Sequence, residues 1–337
     1  MACSANIATS SCSDSSLIGH TQYSQCWLAD NFYIQDYMIT TKFTDSINHN
    51  SSMCFVCLKS YGDFIILRTS LLLHDAIFFK ILIGDHLNDL NHALGLYPNS
   101  IVLSHQEGNV PFLFDIKKHG VFHGIRSGWC LRKLIDNAPI EKNSVLIYDK
   151  VGFREIFISA GYPFTALPQS TNIYNAYSKI FGDGERVINN RFDRRVVQTT
   201  GNIGIFPSSR VPLKCIPKSI VELVVKSLSS QGFNPVLFKL DGEMADTFNY
   251  ACDVVKVPRN FSAMANAIKK VDAVISADSM PAHMAEYFGV PVFVITPEPN
   301  RYWLPVSAFN NNFWCCFNDI MAGDYSLTLF TRYLKNE

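Results

Sequence analysis

From Met53 onward the chain changes texture. The run MCFVCLKSYGDFIILRTSLLL is a short apolar stretch, a polar turn holding Gly62 and Asp63, and then apolar residues at helical spacing. That pattern predicts strand, loop and helix. Apolar segments recur at 76–83, 100–103, 144–148 and 155–158, separated by polar loops and helix-like stretches, so the first half predicts an alternating α/β domain. In the second half the alternation is sharper. Residues 202–206 predict a strand, 208–217 a loop, 218–231 a helix ended by Gly232, and 234–239 another strand. Then 261–270 predicts a helix, 271–276 a strand, 281–288 a helix with Gly289 at its end, and 291–295 a strand. Strands alternating with helices imply parallel, doubly wound sheets. Leu327, Phe330, Tyr333 and Leu334 share one face of a last helix, which caps the second domain.

Before Met53 this patterning is absent. Residues 1–52 are rich in Ser, Thr, Asn and Asp with scattered aromatics and show no sustained period, so they are expected to form a loosely ordered extension. A length of 337 residues exceeds the roughly 100 to 200 of one typical domain, and the change of texture divides the rest into domains at 53–200 and 201–337. Hydrophobic residues make up 48% and charged residues 17%, which excludes a largely disordered or coiled-coil chain. Lys plus Arg number 29 and Asp plus Glu 29, a balance that argues against wrapping a nucleic-acid backbone but leaves room for a small phosphorylated ligand. No apolar run approaches the roughly 18 to 20 residues of a membrane span, and residues 1–30 lack the basic and apolar regions of a secretory signal. A cytoplasmic protein is expected.

Ten cysteines are too few for a disulfide scaffold of this length. Cys54 and Cys57 form a CxxC spacing, yet three positions along a strand turn the two thiols to opposite faces, against a shared metal or redox pair. The adjacent Cys315 and Cys316 have no second pair at metal spacing and read as packing residues.

Ligands of open parallel sheets bind beyond the carboxyl ends of the strands, so the residues just after each strand are the informative ones. Three places stand out. In LKSYGD, Gly62 would permit a tight turn and Asp63 stands at the mouth of a helix, where by itself it reads equally as an N-cap. In FPSSRVPLK, Ser208, Ser209, Arg210 and Lys214 offer two hydroxyls, a guanidinium and an ammonium just before a helix, the makings of an oxyanion cradle or of a solvated basic loop. In ISADSMPAHMAEYFGVPVFV, Asp278 ends a strand, Ser279 is an N-cap candidate, Pro281 suits a first turn, and His283 lies within that turn, where the helix dipole would lower its pKa.

Together these three places resemble glycosyltransferase family nine, the heptosyltransferases of bacterial lipopolysaccharide synthesis. The resemblance runs over residues 53–306 and rests on Gly62 and Asp63, on Ser208, Ser209, Arg210 and Lys214 before Pro217, and on VISADSMPAHMAEYFGVPVFVITPEPNRYWLP. It implies the GT-B fold, two Rossmann-like domains facing across a cleft, with the acceptor side at 53–200 and the nucleotide-sugar side at 201–337. It further implies sugar transfer with inversion from a nucleotide diphosphate sugar, an ADP-sugar being favoured and heptose among the candidates, to a lipopolysaccharide or other surface-glycan or glycolipid acceptor. Asp63 would be the base; Ser208, Ser209, Arg210 and Lys214 would hold the diphosphate; Asp278 would contact the donor sugar, and Ser279, Met280 and His283 would line the diphosphate site. No metal or other cofactor would be required, since fixed donors can neutralise the leaving diphosphate and the chain contains no Asp-x-Asp. Membrane contact would be at most peripheral, at the inner face of the inner membrane. The sequence departs from the family at Met280, where a Gly is usual, and at Ile216, where a Trp is usual. Rival readings are a nucleotide-sugar epimerase or hydrolase on the same fold, or a non-catalytic nucleotide-sugar binder. A nicotinamide dehydrogenase is disfavoured because no GxGxxG follows any strand.

Overall fold

A computed structural model of the chain describes residues 52–58, 60–76, 78–104, 120–182, 201–240, 251–323 and 325–337. The extension expected at 1–52 lies, except for Ser52, outside the described residues. In the first half the elements are β1 (Met53–Cys57), α1 (Tyr61–Leu73), β2 (Lys80–Gly84), α2 (Asn88–Ala93), β3 (Ser100–Leu103), α3 (Val121–Asp136), β4 (Val145–Tyr148), α4 (Phe153–Ile158), β5 (Phe164–Ala166) and α5 (Ile173–Ile180). The second half continues with β6 (Asn202–Phe206), α6 (Lys218–Ser230), β7 (Asn234–Leu240), β8 (Asp253–Val257), α7 (Phe261–Lys269), β9 (Ala273–Ala277), α8 (Met280–Tyr287), β10 (Val292–Thr296), α9 (Val306–Asn311), β11 (Trp314–Cys316), α10 (Phe317–Met321) and α11 (Ser326–Lys335).

Two parallel sheets result, one of five strands in the order β3-β2-β1-β4-β5 and one of six in the order β11-β10-β9-β6-β7-β8. Each order reverses direction once, between β1 and β4 in the first sheet and between β6 and β9 in the second. Such reversals open a crevice at the carboxyl ends of the two central strands. Residue alternation on β1 matches the expectation from the CxxC spacing. Cys54 and Val56 enter a core with Leu82, Leu146 and Tyr148 on one face, while Phe55 and Cys57 join a larger core with Ile81, Ile83 and Ile147 on the other. That larger core continues into the second sheet, whose central strands β9 and β10 are buried at every position, as parallel strands covered on both faces must be. Cys315 and Cys316 are both buried, and Leu327, Phe330 and Leu334 anchor α11.

Several elements differ from the sequence reading. The apolar segment at 155–158 is part of helix α4; four residues are too few for periodicity to tell a strand from a helix. The short strands β5, β8 and β11 were not anticipated. Gly62 makes no tight turn: it sits in the first turn of α1 with an ordinary helical backbone. The cap is Ser60, whose hydroxyl accepts the Asp63 N–H at 3.3 Å, so Asp63 is the third helical residue and not the N-cap.

Helix α1 explains how the site is assembled. Eight successive residues, Phe64 to Leu71, are buried, so the helix is covered all round. Its buried hydroxyls are satisfied from within, Thr69 Oγ1 donating to the Ile65 carbonyl at 2.7 Å and Ser70 Oγ to the Ile66 carbonyl at 2.8 Å. It packs against α8, itself buried from Pro281 to Glu286. The helices that follow the central strands β1 and β9 therefore lie against one another.

Candidate functional site

At the reversal point of the second sheet, the loop after β6 meets the turn after β9. The Ile216 N–H bonds the Pro207 carbonyl at 2.8 Å and closes the loop. Ile216 is buried in the core. Inside the loop the Ser209 N–H reaches Cys215 Sγ at 3.3 Å and the Ser209 hydroxyl accepts the Val211 N–H at 3.3 Å, so the Ser209 hydroxyl has a structural task as well. Arg210 is exposed. Lys214 bonds Asp278 at 2.7 Å across the reversal point, its side chain 36% exposed against 8% for the carboxylate. Ser279 has the extended backbone of an N-cap but makes no side-chain cap bond; its hydroxyl donates to the Ser208 carbonyl at 3.2 Å, fastening loop to turn. Met280 is half-buried and packs against the core.

His283 is buried at 5% exposure, with ring Nδ1 3.2 Å from the Tyr174 hydroxyl. Burial is the main cause that pushes its pKa down to about 4; Asp278 pulls it up and Lys214 lowers it further. The imidazole is neutral at neutral pH, as expected, but through desolvation and not mainly through the dipole of α8.

The corresponding point of the first sheet holds a pocket between the ends of β1 and β4. Leu58, Asp63, Asp149, Arg154, Glu155 and Tyr177 are among the residues lining it. Asp149 follows β4 as Asp278 follows β9, and its position directly after a strand was the signal that could have found it. Burial lowers the pKa of Arg154, opposed by the charges of Glu155, Tyr148 and Asp149, so this guanidinium sits among carboxylates. Glu155 accepts the Gly152 N–H at 3.0 Å and holds the start of α4. Burial, followed by the fields of Cys57, Asp149 and Asp63, raises the Tyr177 hydroxyl well above the ordinary phenol range, and burial with Asp149 raises Tyr302. Tyr174 and Tyr177 come from α5, where sequence spacing alone gives no sign of a site.

The two corners meet. A Cβ placed on Gly62 would lie 4.0 Å from Cδ2 of His283, so the turn that carries Asp63 touches the turn that carries Asp278, Ser279 and His283. A buried network clamps the same helices farther along. Arg68 of α1 donates to Asn91 Oδ1, to the Gly95 carbonyl at 2.8 Å and to the Tyr287 hydroxyl of α8 at 3.0 Å, and Tyr287 donates to the Leu94 carbonyl at 2.8 Å. Of the residues singled out in the sequence, Lys214, Asp278, Ser208, Ser279 and His283 come together; Asp63 stands at the neighbouring corner, and Arg210 is exposed.

Among solved structures the chain is similar to a family 9 glycosyl transferase from Veillonella parvula, with 15% identity and a TM-score of 0.57 over 86% of this chain and 98% of that one. It is similar also to the E. coli ADP-heptose LPS heptosyltransferase II, at 12% identity and TM-score 0.52, covering 85% and 99%. A third is the E. coli heptosyltransferase WaaC with ADP, at 11% identity and TM-score 0.53, again covering 85% and 99%. No family model and no curated protein matches the chain. The similar structures come from the family that the motifs resemble, and the architecture is that of GT-B: two parallel-sheet α/β halves.

Proposed function

We propose that this chain is an inverting glycosyltransferase that takes its sugar from a nucleotide diphosphate donor. The observation that carries the reading is the meeting of the two reversal-point corners in a GT-B architecture, with Asp63 on one side and Lys214, Asp278 and His283 on the other. Residues 53–200 would take the acceptor and 201–337 the nucleotide sugar. In this reading Asp63 removes the proton from the acceptor hydroxyl, whose oxygen attacks the anomeric carbon from the face opposite the diphosphate. The bond from that carbon to the diphosphate oxygen breaks, the electron pair leaves with the diphosphate, and configuration inverts. Charge grows on the diphosphate in the transition state, and donors aimed there lower the barrier. Lys214, Arg210, the hydroxyls of Ser208 and Ser209 and the start of α8 beside Ser279 and Met280 supply them, which makes a metal unnecessary. Asp278 holds Lys214 and contacts the donor sugar, while neutral His283 lines the diphosphate site as a hydrogen-bond partner.

The donor is an ADP-sugar, with heptose among the sugars it could carry, and the acceptor is a lipid-linked or surface-glycan precursor such as lipopolysaccharide, met at the cytoplasmic face with at most peripheral membrane contact. Among the described residues no helix is long and apolar enough to cross a membrane. A second reading, hydrolysis or epimerisation of the same donor, is favoured by one observation: a second carboxylate, Asp149, lines the pocket with Asp63, and paired carboxylates suit acid–base work.

The test is a thermal-shift panel of ADP-, UDP-, GDP- and dTDP-sugars, since a ligand that binds only the folded chain raises its midpoint. The best donor then goes into product analysis with and without EDTA on extensively dialysed protein. An ADP-sugar shift and chelator-resistant transfer are expected. No shift from any nucleotide diphosphate sugar would remove the reading; loss of transfer restored by magnesium would remove the metal-free mechanism; free sugar or an epimer as sole product would favour the second reading.

A further inference from the structure

Helix α3 carries apolar side chains on its exposed side as well as its buried one. Ser127, Gly128, Leu131 and Ile135 turn inward, with Phe157 of α4 against Gly128. Yet Val121 is 60% exposed, Phe122 88%, Ile125 53% and Trp129 50%. At 100° per residue these four fall within one arc of roughly 100°, beside the buried arc, so they form a single stripe and not scattered exceptions. The patch continues onto α4. Phe157 packs edge-on against Trp129 with ring centres 5.6 Å apart, and Phe153, one turn earlier on the same helix face, is 67% exposed. A contiguous apolar surface rimmed by polar groups marks an interaction site.

Its charged rim says what kind. Arg126 and Lys133 are exposed along one edge of the stripe, and Arg132 lies over the Trp129 ring at 5.7 Å. The nearby acid, Asp136, is already engaged by Lys142 at 2.8 Å and by Arg132 at 3.9 Å. Aromatic and aliphatic side chains on a convex helix, flanked by excess positive charge, match an anionic bilayer surface: the apolar groups enter the boundary between headgroups and acyl chains, and the cations face lipid phosphates. The position of the patch adds direction, because Arg154 and Glu155, the two residues after Phe153, line the pocket that holds Asp63.

We propose that the exposed face of α3, extended by Phe153 of α4, docks this chain onto an anionic lipid surface and presents the pocket beside Asp63 to an acceptor carried in that surface. The docking stands on the patch alone; the delivery of an acceptor rests on the glycosyltransferase reading above.

The experiment is flotation of the full chain with vesicles of phosphatidylglycerol and phosphatidylethanolamine, and with vesicles of phosphatidylcholine, at low and at physiological salt. Binding to the anionic vesicles is expected, with a blue shift of tryptophan emission that Trp129→Phe removes. The double variant Phe122→Glu, Ile125→Glu should lose about tenfold or more in partitioning. Arg126→Glu with Lys133→Glu should erase the preference for anionic lipid. Both should keep the thermal midpoint and the shift produced by the best nucleotide diphosphate sugar, which shows that they fold. No partitioning of the parent chain, or equal partitioning of the Phe122→Glu, Ile125→Glu variant, overturns the proposal. So does concentration-dependent self-association, abolished by that variant, in a chain that ignores vesicles: the face is then a protein interface. Vesicle binding by a chain that no nucleotide diphosphate sugar stabilises supports the docking surface and removes only the function assigned to the pocket.

Discussion

The corner after β1 and the corner after β9 are built alike and charged differently. Each is a strand end at the reversal point of a parallel sheet, followed directly by a buried helix, and the two helices, α1 and α8, pack on one another. Around the first corner stand Asp63, Asp149 and Glu155 with one guanidinium, Arg154. At the second, a buried carboxylate is matched by Lys214, with a neutral imidazole behind it. The backbone scaffold is indifferent to this; in the proposed reaction a few side chains just past the strand ends would let one corner take up a proton and the other receive negative charge. On that reading, one repeated architecture would hold two complementary halves of a reaction.

The largest effect should follow from neutralising the acidic corner. Asp63→Asn is expected to lower the transfer rate by roughly two to four orders of magnitude while leaving nucleotide affinity in place, as loss of a general base requires. Asp149→Asn, on the other side of the pocket, should act mainly on acceptor KM. Steady-state kinetics beside calorimetric titration of nucleotide separates the two, and an unchanged rate in Asp63→Asn would reduce that residue to part of a helix start.

Next comes the clamp that holds the corners together. Arg68→Met removes a buried guanidinium and leaves Asn91 Oδ1, the Gly95 carbonyl and the Tyr287 hydroxyl each short of a donor or partner, at a cost of about 3 kcal/mol of stability. Tyr287→Phe should cost about 1 kcal/mol. Denaturant melts of both variants check this, and equal, negligible losses would mean that the helices are held by apolar packing alone.

Lys214→Ala should weaken nucleotide diphosphate binding about tenfold and turnover more, because the charge matters most to the leaving group. It also strands Asp278, whose side chain is 8% exposed. Adding Asp278→Asn should therefore restore the thermal midpoint without restoring nucleotide affinity. Recovery of both together would show that Lys214 is only the structural partner of Asp278.

The smallest net effect in the parent chain comes from a pair of opposed pH slopes that largely cancel. Folding lowers the pKa of His283 from 6.5 to about 4, so its contribution to stability is complete above 6.5 and is lost as pH falls through 4. Glu286, three residues on in α8, is buried and accepts from the Ser307 N–H and hydroxyl; burial raises its pKa from 4.5 to about 7, against the lowering effect of those bonds. Its contribution is complete below 4.5 and is lost as pH rises through 7. Between 4.5 and 6.5 the two slopes oppose each other. Relative to the parent chain, Glu286→Gln should make stability rise more steeply with pH across that window, and His283→Gln should make it fall; urea midpoints from pH 4 to 7.5 measure both. Parallel curves for all three proteins would leave neither shift in place.

Much of the framework was legible in the sequence because it is local. Apolar runs of strand length followed by helical spacing predicted β1 with α1, β6 with α6 and β9 with α8, and the alternation of Cys54 and Cys57 predicted their opposite faces. Turn chemistry was less readable. Asp63 and Gly62 occupied the expected stretch but not the expected backbone positions, since Ser60 competes successfully for the cap. The three-residue strands β5 and β11 exist through pairing with β4 and β10, a partner-dependent property that their own residues do not announce.

The sequence by itself determined the alternating α/β plan and most of the residues that carry charge at the strand ends, because periodicity and composition act over a few residues at a time. Tertiary structure alone decided which of those residues meet. Lys214 and Asp278 are 64 positions apart, Tyr174 and His283 109, and Arg68 and Tyr287 219. Such pairs form only when the sheets order their strands and bury α1 against α8, and burial then sets the protonation of His283 and Glu286 more than any neighbour in the chain does, since desolvation depends on everything packed around a group.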